Sequence, residues 1–139
     1  MQRRLTFSMI KPDAVRANHI GSILAMIEQA DFSIQAMVML QLNHPVAERF
    51  YDIHVHRPFY KELCAFIASG PIVAMVLEKE NAVVDFRKLM GATNPAEAAA
   101  GTIRALFATS IDHNAIHGSD TDTTAAGEIS FFFAGREFV

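Results

Sequence analysis

The sequence predicts an α+β fold, in which a four-stranded antiparallel sheet of split β-α-β order carries helices on one face. Strand-like and helix-like patterns follow one another in the order β-α-β-α-α-β-α-loop-β-α. Hydrophobic residues make up 51% of the 139 residues and charged residues 19%, a balance that excludes intrinsic disorder. No repeat, low-complexity tract or linker interrupts the chain, so we expect residues 1–139 to form one domain.

The first half of the chain switches between strand and helix periodicity. Alternation over 5–10 predicts a strand that ends before Pro12, because proline cannot donate to a ladder. A helical stripe over 20–30 and a period-two pattern over 32–42 predict a helix and a long second strand. A further helix, capped by Asn43, is expected to run to about residue 54.

Turn residues divide the second half of the chain. Asn81 and Gly91 bound one predicted helix, with the glycine just past its last turn. In the final predicted helix, Ile129, Phe132 and Phe133 face the core. The other elements are a helix over 59–68, a buried central strand over 72–77, a loop with at most short helices over 93–109, a short strand within 111–117 and that final helix over 123–133.

Charge and cysteine content narrow the possible functions. The formal net charge is −3, so bulk electrostatics do not indicate a specific nucleic-acid binder. Cys64 is the single cysteine and has no partner for an internal disulfide, which favours a reducing compartment. The apolar run after Arg4 is too short for a signal peptide, and no stretch has the ~20 apolar residues of a membrane span. We therefore expect a cytoplasmic protein without a membrane segment.

The segment NAIHGSD, residues 114–120, carries the most reactive side chain. An imidazole is the group best able to act as a nucleophile or acid–base near neutral pH, and His117 is followed by Gly118, which permits close approach of a ligand. Asn114 can project to the same side of a turn. Taken alone, such a segment is more often a turn with capping residues than a catalytic site.

Metal-ligand spacing is weak in this sequence. His113 and His117 are four residues apart, but position 114 is Asn where a helical zinc motif has Glu. His54 and His56 also lack partner ligands. We therefore predict no metal site built from protein side chains.

Phosphate recognition would have to use side chains, because neither glycine-rich phosphate motif is present. Arginine forks suit phosphate oxygens, and Arg87 and Arg104 are candidates, although isolated basic residues are usually solvated surface charges. Phe59 beside Arg57-Pro58 is a candidate stacking platform for a base, with a core phenylalanine as the alternative.

Six stretches, in order, resemble nucleoside diphosphate kinase: TFSMIKPDAV, HVHRPFY, SGP, LMGATNP, GTIR and NAIHGSD. The resemblance spans residues 4–133. It implies a ferredoxin-like sandwich, a four-stranded antiparallel sheet with helices packed around it. It also implies a ping-pong enzyme that moves the γ-phosphoryl group of a nucleoside triphosphate, usually ATP, to a nucleoside diphosphate through a phosphohistidine at His117.

The resemblance also implies roles for individual residues. Glu128 matches the carboxylate that orients the histidine, and Ser119 matches the residue that bridges to it. Tyr51 matches a hydroxyl near the nucleophile, and the matching phosphate ligands are Arg87, Thr93 and Arg104. Lys11 and Asn114 match groups that bind the ribose hydroxyls and the transferred phosphate. Phe59 matches the base-stacking residue, with Leu63 and Ile111 as apolar walls, and His54 matches a further pocket histidine. Mg²⁺ is expected on the nucleotide phosphates, and the implied assembly is a homo-oligomer: a hexamer, a tetramer or occasionally a dimer.

Three positions depart from the family pattern. Leu106 stands where members usually carry aspartate, Lys79 stands where glycine is common, and the tail 134–139 matches nothing we recognise. We interpret Leu106 as a contact with a neighbouring subunit. Two other functions stay open at this point: a nucleotide- or nucleic-acid-binding regulator on the same fold, and a histidine-based metal hydrolase.

Overall fold

The computed structural model describes residues 4–134. Its strands are β1 (Leu5–Ile10), β2 (Ser33–Leu40), β3 (Ile72–Glu78) and β4 (Ile116–Gly118). Its helices are α1 (Pro12–Arg16), α2 (Ile20–Gln29), α3 (His44–Phe50), α4 (Tyr60–Ile67), α5 (Ala82–Met90), α6 (Ile103–Phe107) and α7 (Asp122–Phe133), with 3₁₀ turns at Asp52–His54 and Pro95–Glu97. The expectations for the first three residues and for 135–139 lie outside the described part.

The sheet has the strand order β2-β3-β1-β4, and each neighbouring pair is antiparallel, as predicted. The apolar run of β3 lies between two strands, which explains why it is buried along most of its length. In the short pairing of β1 with β4, Met9 lies opposite His117. This pairing brings β1 beside the NAIHGSD segment.

Helices cover both faces of the sheet, so the expectation of helices on one face is wrong. On β3, Val73, Met75 and Leu77 pack into a core with α2, α5 and α6. The alternate residues Ala74 and Val76 pack into a second core with α3, α4 and α7. Because strand side chains alternate between faces, an uninterrupted apolar strand requires a covering layer on each side.

The bounds of two predicted elements differ from the structure by more than two residues. The last strand begins only at Ile116, because the N–H groups of Thr109 and Ser110 both bond to the carbonyl of His113 and fold the preceding segment into a turn. The helix that was expected to reach residue 54 ends at Phe50 and continues as a 3₁₀ turn. Asn43 caps it, accepting from the N–H of Val46.

One helix was not predicted. Pro12 ends β1 as expected, but it also opens α1 as the first helical residue, a position where the missing N–H costs nothing. Asn81 occupies the cap position of α5 in a left-handed conformation, φ 55°, and its side chain makes no capping hydrogen bond. The final helix agrees with prediction: Ile129 and Phe133 are buried, and Phe132 stacks on Phe7 at 5.1 Å between ring centroids.

The unusual residues lie outside the core. Lys79 pairs with the carboxylate of Asp85 and lies over the ring of Phe32, so this cation has partners of its own at the turn after β3. Leu106 is 58% exposed on α6.

The single cysteine, Cys64, is fully buried, and burial raises the pKa of its thiol. No helix in residues 4–134 is long and apolar enough to cross a membrane.

Candidate active site

A cleft of about 650 Å³ opens beside β4. Its walls include Lys11, Tyr51, His54, Phe59, Leu63, Arg87, Thr93, Arg104, Ile111, Asn114 and His117. These are all the site residues predicted above except Glu128 and Ser119. Residues from five separate stretches of the chain therefore meet in one cavity.

The imidazole of His117 is held by one of its two nitrogens. Nε2 lies 3.0 Å and 3.1 Å from the two carboxylate oxygens of Glu128 on α7. A carboxylate accepts hydrogen bonds, so this contact favours the tautomer with the proton on Nε2. Nδ1 then keeps its lone pair free for chemistry.

Ser119 supports the carboxylate from behind. Its hydroxyl donates to Oε1 of Glu128 at 2.7 Å and also accepts from the backbone N–H of Phe7 at 3.3 Å. Ser119 is buried, as is Phe7. A chain of hydrogen bonds thus runs from β1 through Ser119 and Glu128 to the imidazole.

Close packing fixes the strand that carries the histidine. The rings of Phe50 and Phe7 lie 5.6 Å and 6.0 Å from the His117 ring. A Cβ at Gly118 would lie 2.9 Å from Cδ2 of the buried Phe86 ring as well as 2.7 Å from the Met90 Cε, so a side chain here would push against α5. The histidine therefore sits on a strand with little room to shift.

Arg104 is the most buried arginine of the cleft. Its Nη1 donates to the carbonyl of Gly91 at 3.0 Å, and its Nη2 donates to the carbonyl of Ile116 at 2.8 Å. Burial, together with nearby Arg87, lowers the pKa of the guanidinium to about 10, which leaves it charged near neutral pH. Nε of Arg104 is buried without a partner in the described part of the chain.

Lys11 is a second buried cation. Its Nζ donates to Oδ1 of Asn114 at 2.8 Å, and the Asn114 amide donates to the carbonyl of Thr93 at 3.4 Å. Burial, and to a smaller extent the positive charge of Arg104, lowers the pKa of Lys11 to about 8. The two cations are thus poised for an anion that would offset their burial.

Arg87 lies at the rim of the cleft and is half exposed. Its Nη1 donates to a carboxylate oxygen of Asp120 at 2.7 Å. Asp120 is more exposed than the arginine, so the pair is accessible to solvent and adds little stability. An incoming phosphate can replace this carboxylate at modest cost.

A row of aromatic rings leads from His117 to Phe59. Phe50 touches His117, Tyr51 lies 4.9 Å from Phe50, and His54 lies 6.2 Å from Tyr51. His54 in turn lies 5.7 Å from Phe59, a ring that is 44% exposed. The core alternative for Phe59 is therefore wrong.

The hydroxyl of Tyr51 is buried and has no hydrogen-bond partner in residues 4–134. Burial, then the charge of Glu128, raises the pKa of this phenol, so it stays protonated and able to donate. A donor of this kind facing a cleft can meet a charged oxygen of a ligand.

Six cleft residues were not assigned to the site from the sequence: Glu62, Phe66, Asp112, His113, Gly118 and Asp120. The signal for two of them was present. Phe59, Glu62, Leu63 and Phe66 share one helical face, so a cleft that includes Phe59 and Leu63 reaches the others as well. The rings of Phe66 and His113 stack with their centroids 4.7 Å apart. This contact depends on the fold of the 109–113 turn, so no local sequence pattern predicts it.

His113 stacks on Phe66 rather than forming a ligand cluster with His117. Among the described residues, no three His, Cys, Asp or Glu side chains come together in a way that could hold a metal ion. The histidine-based metal hydrolase therefore has no support from this geometry.

The model of the family called nucleoside diphosphate kinase matches residues 4–138. The chain belongs to the nucleoside diphosphate kinase family. A nucleoside diphosphate kinase of Flavobacterium psychrophilum is 58% identical over 137 residues, which cover 99% of each chain. One from Geobacter sp. is 53% identical over 134 residues, covering 96% of this chain and 98% of the relative.

Solved structures agree with the family's fold, the ferredoxin-like sandwich. The structure of the Aquifex aeolicus nucleoside diphosphate kinase matches with a TM-score of 0.95 at 42% identity. The match covers 97% of this chain and 98% of the Aquifex chain. The nucleoside diphosphate kinase of Halobacterium salinarum, solved in complex with CDP, matches with a TM-score of 0.92 at 38% identity. That match covers 97% of this chain and 90% of the Halobacterium chain.

This family member is a phosphotransferase that moves the terminal phosphoryl group of a nucleoside triphosphate to a nucleoside diphosphate. Its partners are nucleotides, and its chemistry requires a divalent cation. A binding regulator without turnover is not favoured at this level of similarity.

Proposed function

We propose that His117 is the nucleophile that carries the phosphoryl group between the two nucleotides. The observation that supports this role is the bonding of Nε2 to Glu128, because it leaves Nδ1 as the free lone pair in the cleft. A neutral imidazole attacks phosphorus without first losing a proton.

The proposed reaction has two balanced steps. Nδ1 forms a bond to the γ-phosphorus, and the bond from that phosphorus to the bridging oxygen breaks, so the diphosphate leaves with the electron pair. A terminal oxygen of the acceptor diphosphate then attacks the phosphohistidine, and the phosphorus–nitrogen electrons return to Nδ1. Glu128 stabilises the positive charge that the imidazole gains in the first step, and Ser119 holds Glu128 in position.

The cations of the cleft are proposed to bind the phosphates. Arg104 and Lys11 are buried with their charges unneutralised by any carboxylate contact in the described part, which suits them to a polyanion. Arg87 exchanges Asp120 for a phosphate oxygen, and Thr93 adds its hydroxyl. Preorganised donors of this kind stabilise charge that develops on the equatorial oxygens.

The rest of the nucleotide extends outward along the aromatic rings. Phe59 is proposed to stack on the base, between Leu63 and Ile111 as apolar walls. Asn114, held by Lys11, is placed to bind the ribose hydroxyls together with that lysine. Tyr51 donates its unpartnered hydroxyl near the nucleophile, and His54 lines the passage between Tyr51 and Phe59.

The divalent cation is proposed to be Mg²⁺ carried on the nucleotide. Among the described residues, no three His, Cys, Asp or Glu side chains of the cleft come together as metal ligands, and the carboxylate of Asp120 is engaged by Arg87, so the phosphates themselves are the natural ligands. Mg²⁺ then offsets phosphate charge beside Arg104 and Lys11.

We also propose a cytoplasmic location and a homo-oligomeric assembly. The free thiol of Cys64 suits a reducing compartment. Exposed apolar side chains, among them Leu106, provide surface for subunit contacts.

Covalent labelling tests the nucleophile. The protein is incubated with Mg-ATP and no acceptor, and intact mass is measured; we expect one acid-labile phosphate that maps to His117 and is discharged by a diphosphate. His117→Asn should lose the adduct while still binding ATP, whereas the matched variant His113→Asn keeps it. An adduct on any other residue, or none in folded protein that binds ATP, would contradict the proposal.

A further inference from the structure

The outer end of the cleft differs in charge from its inner end. Glu62 on α4 and Asp112 on the facing loop both line the cleft near Phe59 and the Phe66–His113 stack. Within residues 4–134 neither carboxylate takes part in a hydrogen bond or an ion pair with another side chain. A nucleotide held as proposed therefore meets cations at its phosphates and carboxylates at its base.

The spacing of residues along α4 indicates that Glu62 faces the edge of a base stacked on Phe59. Glu62 lies three residues after Phe59 and four before Phe66, and all three side chains line the cleft. A ring stacked on Phe59 has its faces covered by apolar groups, so only its perimeter is left for polar contacts. Glu62 extends from the same helical face to that perimeter.

A carboxylate accepts hydrogen bonds and donates none, so it discriminates between bases. Guanine presents two neighbouring N–H donors, on N1 and N2, which match the two oxygens of one carboxylate. Adenine and cytosine each offer an amino group beside a ring-nitrogen acceptor, and uracil flanks its single N–H with two carbonyls. Acceptors facing acceptors repel, so the carboxylate favours guanine and disfavours uracil most.

We propose that Glu62 is a specificity-determining residue, which favours guanine nucleotides by accepting from N1–H and N2–H of a base stacked on Phe59. The inference rests on the proposed base position. The effect is modest because Glu62 is exposed to water, where a hydrogen bond to a charged group is worth little.

The test compares kcat/KM for GDP and UDP with one common triphosphate donor. Glu62→Gln should lower kcat/KM for GDP about threefold to tenfold and raise that for UDP slightly, because the neutral amide no longer repels the uracil carbonyls. Glu62→Lys should go further and raise the value for UDP, because an ammonium donates to the uracil carbonyls. The matched control is Glu28→Gln, the same change at an exposed position on α2, outside the cleft.

An unchanged GDP-to-UDP ratio in both Glu62 variants would overturn the proposal, as would an equal fall for both substrates. If only Asp112→Asn moves the ratio, the facing loop reads the base and Glu62 does not. Phe59→Ala separates this inference from the proposed site: it should raise KM for GDP and UDP alike. If it does not, the base position itself is wrong, whatever the Glu62 variants do.

Discussion

In the proposed mechanism the imidazole of His117 attacks through Nδ1, which makes no hydrogen bond to another residue in 4–134, while Nε2 is bonded to Glu128. That asymmetry is a property of three side chains, the third being Ser119. The histidine itself was identifiable from sequence. Its orientation was not, because the carboxylate that sets it lies eleven residues away on a different element.

Removing the charge of Glu128 tests this arrangement. Glu128→Gln keeps a hydrogen-bond acceptor but loses the charge that stabilises the imidazolium, so kcat should fall about 10²–10⁴-fold. Ser119→Ala should cost less, about tenfold, since the carboxylate stays and only its support is lost. Rapid-quench measurement of phosphoenzyme formation provides both values. Equal losses in the two variants would argue that Glu128 has no charge-dependent role.

Lys11 gives the enzyme a pH limit. Its ammonium has a pKa of about 8, lowered by burial, so the free enzyme loses this positive charge as pH rises through that value. We expect kcat/KM for nucleotide to fall about tenfold per pH unit above it, because the uncharged amine no longer attracts phosphate. In Lys11→Arg the guanidinium stays charged and this limb of the profile should disappear. A wild-type profile that stays flat well above pH 8 would contradict the role of Lys11.

At the scale of elements, α5 ends beside Arg104, one of the proposed phosphate ligands. Gly91 follows α5 with φ +86°, and its carbonyl accepts from Arg104. A Cβ there would lie 2.5 Å from the Thr102 hydroxyl oxygen at the start of α6. This glycine was predicted as a helix stop; its closeness to α6 was not, because the approach involves residues distant in sequence.

Gly91→Ala should therefore damage both stability and substrate binding. The left-handed backbone and the clash with Thr102 should destabilise the fold by about 1–3 kcal/mol, and displacement of Arg104 should raise KM for nucleotide. The control is Gly21→Ala in α2, where nothing lies within 4 Å and the change should stabilise by about 0.5–1 kcal/mol. Denaturant unfolding measures both effects. A Gly91→Ala protein as stable as wild type would refute the strain argument.

Elements with a strong local pattern were the ones that sequence predicted. β1, β3 and α7 have regular periodicity and appear within a residue or two of their expected positions. β4 spans only three residues, and its pairing with β1 depends on tertiary contacts rather than on propensity. The length of β2, also overestimated, illustrates that period-two patterns extend past the end of a ladder.

For the whole molecule, the family motifs predicted which residues share the cleft. They did not predict that helices cover both faces of the sheet, which follows from how β3 packs. β3 is apolar at alternating and intervening positions, so two helical layers were the physically required answer. The charge division of the cleft, with cations inside and Glu62 and Asp112 outside, also appears only when distant segments are assembled.

At the scale of the whole molecule, the exposed Leu106 tests the proposed assembly. An exposed leucine on α6 is expected to lie against another subunit, so Leu106→Asp should lower the number of subunits measured by light scattering. The matched variant Ala105→Asp, one position away on the exposed part of α6, controls for added charge alone. Unchanged subunit number in Leu106→Asp would remove support for an interface at this residue.

The pairing of β1 with β4 has a consequence for synthesis. Lys11 belongs to the first elements that emerge from a ribosome, yet its partner Asn114 is 103 residues away, and Glu128 lies in the last helix. A chain that stops before α7 has the histidine but not the carboxylate that orients it. In the proposed mechanism, incomplete products should therefore lose most of their activity, and full activity should require that translation reached α7.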